Sequence, residues 1–514
     1  GRCARDMSMY RIPPTALIEP RSLDDLAATL LAAADAGVTV TLRGGGSGTG
    51  GAALGADLVV SLEHLPEAQV LDVPGAGANP APGSPPGGGA IHSAAGTDGR
   101  AAGVTVRVGA AVRHDALQRA LREHGHHMPA DPSSGQLSLI GGNIATKASG
   151  AHALTTGAIN TYVRSMRVML PDGHIVDTAD PASIPAHLRD GLSALRKEAL
   201  GDAPLRARLE TLQGRKIASG YNLPALLLAE TPPEIIDQLM CGSAGTLGVV
   251  IDVTLAGVSL EAGTVTLLVP VEERGAACEL ALACVDLGAA AVELIDAEAL
   301  LFLRDRGVAA PKGKHLLYVE LRGEDPAERC EHILRAARST PGVAAAETRV
   351  AESAEEQERL WELRKRLLIF LRQAPAPYRA LSVVNDVGVP PEVLPRFIDK
   401  LVDIFRDEGL TAPIYGHAGS GNLHLRPLFD TSSSELRRQV RRVADRVYDL
   451  TISMDGTITA EHGMGRLRAP YLEAEWGPSA CRLFGATKEL FDPRGVLNPE
   501  ALFYRGEITA EMDI

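Results

Sequence analysis

The sequence predicts a mixed helix-and-sheet fold in two parts, on three observations. Strands, helices and Gly-rich turns alternate through the N-terminal half, a second strand–helix–strand–helix rhythm begins near Gly263, and amphipathic helical stripes follow it. The 514 residues suffice for two to four domains, or one large domain with a cap. A hydrophobic share of 45% and a charged share of 22% exclude disorder as the dominant state, because the chain has ample apolar surface to bury.

Ser22 with Asp25 makes a capping box for a helix through Ala36, closed by Gly37. Val38 to Leu42 reads as a short strand, followed by a glycine loop from Gly44 to Gly51 and an apolar run from Leu58 to Leu62. From 73 to 103 the chain is mostly Gly, Pro, Ala and Ser, the composition of a flexible surface insertion. Order resumes with a strand at Val104 to Val108, and a helix carrying Leu117 and Leu121 ends at Gly125.

In the second region, Thr264 to Val271 and Leu316 to Leu321 read as strands, Ala276 to Leu287 and Ala327 to Ala337 as helices. This order predicts a second α/β sheet covered by helices on one side. Ser353 and Glu356 cap a long helix with Leu360, Leu363, Leu367 and Leu371 on one stripe. Leu436, Val440, Val443, Val447 and Leu450 mark another.

Composition removes several function classes. Fifty-one Lys+Arg against 64 Asp+Glu leave a net charge of -13, which argues against nucleic acid as a partner. No apolar run approaches the length of a spanning helix. The six cysteines form no C-x-x-C pair, so neither an internal iron–sulfur cluster nor a disulfide scaffold is expected, and the thiols are those of a cytoplasmic protein. The first residues carry neither an initiator Met nor an apolar signal region, as in a trimmed chain or a piece of a longer one.

Two groups of residues carry chemistry. Arg43 to Gly51 places six glycines in nine positions. Glycine lets successive N–H groups turn toward one anion, while Ser47, Thr49 and Arg43 add donors. No Gly-Lys-Ser/Thr follows, and a strand rather than a helix comes next, so the loop is neither a Walker A nor a Rossmann fingerprint. A phosphate nest between two strands and a plain flexible turn both remain open. A second small-residue stretch follows, Pro129 to Pro132 leading into Ile140 to Gly150, and a third lies at Gly242 to Gly248. The second group is Gly416-His417 and Asn422-Leu423-His424 around a Gly-rich turn, with Glu461-His462-Gly463 downstream. Two imidazoles and a carboxylate are a common zinc set with an open position, and ordinary polar loops are the alternative.

These segments, in this order, resemble the FAD-linked oxidases of the vanillyl-alcohol oxidase / p-cresol methylhydroxylase superfamily. More narrowly, they are similar to its D-lactate, glycolate and D-2-hydroxyglutarate dehydrogenase branch. The resemblance runs from about Met9 to Phe503. It implies an α+β chain: a two-subdomain FAD-binding domain of the p-cresol methylhydroxylase type over 1–258, an α/β substrate cap with the metal site over 259–480, and a helical C-terminal segment over 481–514 that returns to the FAD domain. By carry-over, Arg43, Gly44, Gly45, Gly46, Ser47, Gly48 and Thr49 hold the FAD pyrophosphate. Asp131, Ser138, Gly142, Asn143, Thr146, Ser149, Gly245, Ile251 and Asn498 meet the rest of the flavin. This chain has Ala244 where the family usually has Glu, and Lys147 where it has Asn. No histidine lies in the first loop, so the FAD is expected to be noncovalent.

The resemblance implies further that His417, His424 and Glu461 bind a divalent metal, zinc in the first place, and that His462 is the general base. Ser420 replaces the family's Asp in the turn, a change that would weaken the metal if that Asp steadies a ligand. Arg364, in a Trp-x-x-Arg pattern after Trp361, is expected on the substrate carboxylate, with Asn422 and Arg426 also at the substrate. The hydroxyglutarate enzymes carry Lys and Asn where this chain has Val384 and Arg426, so Arg426 is a candidate substitute cation. The implied activity is FAD-dependent oxidation of a D-2-hydroxy acid. Its electrons pass to an external acceptor: a quinone, an electron-transfer flavoprotein, a cytochrome or a separate iron–sulfur partner. A cytoplasmic location, or one peripheral to a membrane, goes with it, and a homodimer is the assembly it admits. Two alternatives stand beside it: a non-redox FAD enzyme resembling alkyl-glycerone-phosphate synthase, and a noncatalytic flavin subunit of a larger dehydrogenase.

Overall fold

Ser22 starts the first helix as the sequence predicts. Its hydroxyl accepts the Asp25 N–H at 3.0 Å, the helix runs Leu23–Ala36, and left-handed Gly37 closes it with its N–H on the Ala33 and Ala34 carbonyls. The structure, a computed structural model, describes residues 3–73, 102–261, 263–308 and 313–513; the expected flexible insertion therefore lies, over 74–101, outside the described residues.

The chain divides into two units. The first comprises Gly1–Gly150, Thr156–Leu260 and Glu461–Asp513; the second comprises Ala151–Thr155 and Glu261–Ala460. In the first unit, a parallel sheet has the order Ala16–Ile18, Leu58–Ser61, Val40–Arg43. Leu26, Leu30 and Ala33 of the first helix lie i, i+4, i+7 apart and form one core cluster with Val40, Val60 and Leu497. A second, antiparallel sheet runs Leu71–Asp72, Ala102–Gly109, Val249–Ser259, Val163–Met169, Ile175–Asp177. Asp252, the one acidic residue in its long apolar strand, is buried and takes the Arg107 fork at 3.1 and 3.0 Å and Arg167 Nε at 2.8 Å.

The return to this unit comes at Glu461, ahead of the expected position 481. The reason is packing. Helix Leu472–Phe491 buries Trp476, Leu483 and Phe484 in one cluster with Leu188, Leu192, Tyr221 and Leu239 of the first unit. Buried Lys488 then donates to the Thr246 and Leu497 carbonyls, both at 2.7 Å.

The second unit is built on a seven-stranded sheet of order Arg349–Ala351, Thr264–Val271, His315–Arg322, Ala291–Ile295, Ile414–His417, Asn422–Leu425, Val387–Gly388. Every pairing in it is antiparallel. Helices Ala297–Arg304 and Ala354–Arg372 supply Leu300, Leu303, Leu367 and Leu371 to a cluster with Leu268, Ile295, Leu316, Tyr318 and Tyr415. Ser353 caps the longer helix, as its spacing to Glu356 predicts.

Register decides which side chains share that face. In antiparallel pairs, directly opposed residues point the same way, and so do alternate residues along a strand. Glu293 opposes Tyr318, Ile295 opposes Tyr415, Tyr415 opposes His424, and His417 opposes Asn422. Glu293, His417, Asn422 and His424 therefore stand on one face, beside Tyr318 and Tyr415.

Candidate active site

In the first unit the three small-residue segments meet. Strand Val40–Arg43 leads into the glycine loop, and a Cβ on Gly45 would fall 1.9 Å from the Leu137 carbonyl oxygen. Only glycine lets those two backbones approach. A Cβ on Gly44 would sit 3.7 Å from Gly142 Cα, whereas nothing lies within 4 Å of one on Gly48 or Gly142. Ala244 N–H donates to Ala145 O at 2.8 Å, and Gly242 N–H to Ile144 O at 2.9 Å, which joins the third segment to the second. Asn498, at φ 40°, uses its amide to bridge the Ala52 and Ala244 carbonyls at 2.8 and 2.7 Å.

The expected flavin residues take three kinds of position. Gly44 to Thr49, Gly142 and Gly245 form backbone at the junction of the segments. The hydroxyls of Ser138 and Ser149 are buried and have no hydrogen-bond partner among the described residues. Gly150 packs so closely on Asp131 that a Cβ there would meet its Oδ1 at 2.3 Å. Other expected contacts are engaged by the protein itself. The Arg43 guanidinium donates to Arg5 O at 2.9 Å and Ala53 O at 3.3 Å, so it ties the loop down. Asn143 faces His114 at 3.1 Å, Thr146 Oγ1 donates to Gly142 O at 2.9 Å, and the Ile251 side chain belongs to the core. Close-packed glycine backbone with open space over two glycines, and two buried hydroxyls lacking protein partners, fit a flat phosphate-bearing ligand such as FAD. Gly45→Ala is expected to push the loop off Leu137 and weaken FAD binding by roughly 10–100-fold, the cost of an overpacked contact; flavin titration of the apoprotein checks it.

In the second unit, His417 and His424 stand on neighbouring strands around a turn. Gly421 sits there at φ 68°, where a Cβ would fall 1.9 Å from Val389 O. His417 Nδ1 meets Glu293 Oε1, and His424 Nδ1 lies 3.2 Å from Asn385 O. Carboxylate and carbonyl only accept, so each Nδ1 carries a proton, and each ring in its neutral form turns a lone pair outward from Nε2. Those two Nε2 atoms are 3.3 Å apart. Two imidazole nitrogens about 2.0–2.1 Å from one tetrahedral metal stand roughly 3.3–3.4 Å apart. The pair therefore fits a shared cation. A ligand atom of Asp386 lies within 4.8 Å of one on His424. Asp386 accepts from Asn422 Nδ2 at 2.9 Å and from Thr459 Oγ1 at 2.6 Å.

Glu293 is fully buried between His417 and Arg364, whose Nε donates to it at 2.9 Å. Burial alone would raise its pKa, but His417 and Arg364 hold its carboxyl well below the usual carboxylate range. Arg364, expected on the substrate, thus has one edge on Glu293 and lies 4.6 Å over the Tyr415 ring. Ser420 reaches the His417 carbonyl at 3.3 Å, so the carboxylate that steadies this histidine comes from another strand. Glu320 makes a second buried cluster with His152 at 2.9 Å and Trp361 at 2.8 Å; burial opposes the shift, yet these contacts and Arg322 bring its pKa down to about 2.

Glu461 and His462 belong to the first unit by themselves. Glu461 pairs with Lys216 at 2.6 Å and lies 3.5 Å from His462 Nε2. Gly463 packs on Thr146, where a Cβ would meet Thr146 Cβ at 3.2 Å. Glu293, Asn385 and Lys216 were not singled out from sequence, and Asp386 only as the family's Asp two residues after Val384. Glu293 left a signal, a carboxylate inside the apolar strand Ala-Val-Glu-Leu-Ile; Lys216 left none.

The chain matches two known family models. Residues 14–179 match the model of the FAD binding domain, and residues 261–502 that of the FAD linked oxidases, C-terminal domain. The chain is 29% identical over 395 residues to D-lactate dehydrogenase (cytochrome), mitochondrial, of Arabidopsis thaliana, covering 75% of this chain and 60% of the relative. It is 26% identical over 505 residues to glycolate oxidase subunit GlcD of Bacillus subtilis, covering 96% and 90%. It is 25% identical over 524 residues to D-2-hydroxyglutarate dehydrogenase of Pantoea ananatis, covering 96% of this chain but 48% of that protein. Among solved structures, p-cresol methylhydroxylase with substrate bound shares the fold at a TM-score of 0.65 and 10% identity, over 98% of this chain and 92% of that one. Alkyldihydroxyacetonephosphate synthase does so at 0.60 and 14%, over 96% and 81%.

Proposed function

Because the chain belongs to the FAD-linked oxidases, with both their FAD-binding and C-terminal domains, we propose that it oxidises a D-2-hydroxy acid to the 2-oxo acid. The activities of its relatives support this, although the chain spans 60% and 48% of two of them and 90% of the third. Noncovalent FAD, held by the three small-residue segments, supplies the two-electron acceptor for the C2 hydride at N5. A divalent metal such as zinc, on His417, His424 and Glu461, would supply the charge that polarises the 2-hydroxyl.

The chain's own residues do the rest. His462 takes the hydroxyl proton as general base, a task that suits a histidine near neutral pH. The fixed Nδ1–H tautomers of His417 and His424 keep two lone pairs aimed at one point. Lys216 orients Glu461 through their 2.6 Å ion pair. Arg364 presents N–H groups to the C1 carboxylate, while Asn422, expected there too, spends its amide N–H groups on Asp386 and Val387. Proton and hydride leave the substrate, and the electron pair goes on to an external acceptor of the kind expected from sequence. No helix among the described residues is long and apolar enough to cross a membrane.

The 3.3 Å approach of the two Nε2 atoms carries the metal-assisted form of this proposal. Metal analysis beside flavin content tests it: about one divalent ion per FAD is expected, and its removal by a chelator should slow anaerobic flavin reduction by at least about 100-fold, recoverable on adding metal back. An unchanged rate in metal-free protein contradicts it.

A further inference from the structure

We propose that His114 is a positioning residue for the cofactor: together with Gln118 it turns the Asn143 amide so that its N–H groups are offered to an acceptor oxygen of FAD. This rests on the FAD site proposed above. His114 and Gln118 stand i, i+4 on helix His114–Arg122, and His114 is buried. The Gln118 amide is held at both ends by the backbone of one residue: Nε2 donates to Met128 O at 2.7 Å, and Oε1 accepts the Met128 N–H at 3.1 Å. Its orientation is therefore fixed, and its other N–H meets His114 Nε2 at 3.3 Å. That ring nitrogen must accept. A neutral imidazole that accepts at Nε2 carries its proton on Nδ1. An imidazolium would set two donors against each other at Nε2. Burial moreover lowers the His114 pKa, against the upward pull of Asp131 and Asp115.

The His114 Nδ1–H needs an acceptor, and the group 3.1 Å away is the amide of Asn143. Oxygen and nitrogen of a side-chain amide are told apart by their partners. With Nδ2 toward the ring, two N–H groups would oppose each other, so Asn143 gives the ring its oxygen and turns its NH2 the other way. Asn143 is 3% exposed, and among the described residues its second arm meets no hydrogen-bond partner. The carbonyl of Ser138 accepts the His114 backbone N–H at 3.0 Å, and the buried Ser138 hydroxyl is another group with no partner there. Buried donors left unpaired are costly, so their acceptors arrive with a ligand. The place is the one expected for FAD: Asn143 follows Gly142, whose Cα would lie 3.7 Å from a Cβ on Gly44 of the glycine loop. FAD carries ring carbonyl and phosphate oxygens, and both kinds accept.

The test begins with FAD titration of the full-length apoprotein. Asn143→Ala is expected to weaken FAD binding about tenfold and His114→Leu about fivefold, the scale of one lost hydrogen bond. The double variant should bind no more than about twofold more weakly than N143A, because His114 acts through Asn143; a purely structural histidine would give additive losses. His114→Gln, whose amide holds a donor and an acceptor at similar spacing, should recover most of the loss. In ring-nitrogen NMR of the histidines, the signal missing from H114Q should be that of an Nδ1–H ring with a bare Nε2. ADP titration finds the acceptor: weaker ADP binding by N143A puts it on the pyrophosphate, while unchanged ADP binding with a shifted flavin absorbance puts it on a ring carbonyl. An N143A protein with wild-type FAD affinity, additive losses in the double variant, or an Nε2–H ring overturns the proposal. If H114L fails to fold, N143A, H114Q and the ring-nitrogen signal decide it. A wild-type protein that takes up no FAD refutes the FAD site and this role together; the other outcomes refute the role alone.

Discussion

Replacing Glu293 with alanine is expected to cost about 3–5 kcal/mol of stability, the penalty of leaving a buried charge without its partner. The stranded group is Arg364, whose Nε now donates to Glu293 at 2.9 Å and whose side chain is 13% exposed. The same change frees the His417 ring. Without an acceptor on Nδ1, the tautomer that directs a lone pair from Nε2 is no longer fixed, and metal affinity should fall by about 10–100-fold. Glu293→Gln separates the two effects. Its amide oxygen still accepts from His417, so metal binding should recover in part, while the lost negative charge keeps the protein destabilised. Urea unfolding and zinc titration of the two variants read these effects independently. An E293A protein as stable as wild type, with unaltered zinc affinity, would show that the His417–Glu293–Arg364 chain is neither buried nor aimed as described.

The second large effect is at His462. His462→Asn is expected to slow flavin reduction by about 10²–10⁴-fold, the range for loss of a positioned general base. FAD content should stay at the wild-type level, because the cradle proposed above uses backbone of the glycine loop, Ser138, Ser149 and the loops bridged by Asn498, and not His462. Single-turnover mixing separates this from a binding defect: the limiting rate should fall while the substrate concentration for half-saturation changes little. A variant that reduces its flavin at the wild-type limiting rate would remove His462 from the chemistry.

Much of this was legible in the sequence because some constraints are local. The glycine loop and the turn between His417 and His424 could be read because Gly45 and Gly421 occupy positions where a Cβ would collide with backbone oxygen. The capped helices at Ser22 and Ser353 follow from side chains three residues apart. What depends on tertiary packing was not legible. Arg43 and Asn498 were expected to contact the cofactor, yet their donors close on Arg5, Ala52, Ala53 and Ala244, which no spacing reveals. The amphipathic helix Leu472–Phe491 has the same pattern whichever core it joins, so the change of unit at Glu461 had no local mark. Glu293 stood out only as an acid among apolar residues. Its partnership with His417 needed the register of Ala291–Ile295 against Ile414–His417.

The charge of -13 takes on a narrower meaning beside this site. An acidic surface does not attract an anionic substrate, so the cations that receive it must be local.

The most direct measurement is anaerobic mixing of the FAD-loaded, metal-replete protein with D- and L-2-hydroxy acids, mono- and diacids together, followed by flavin absorbance. The D-acids should bleach the flavin within a single turnover and yield one 2-oxo acid per FAD, and the L-acids should leave it oxidised. A flavin that stays oxidised with every acid of either hand would contradict the proposed oxidation.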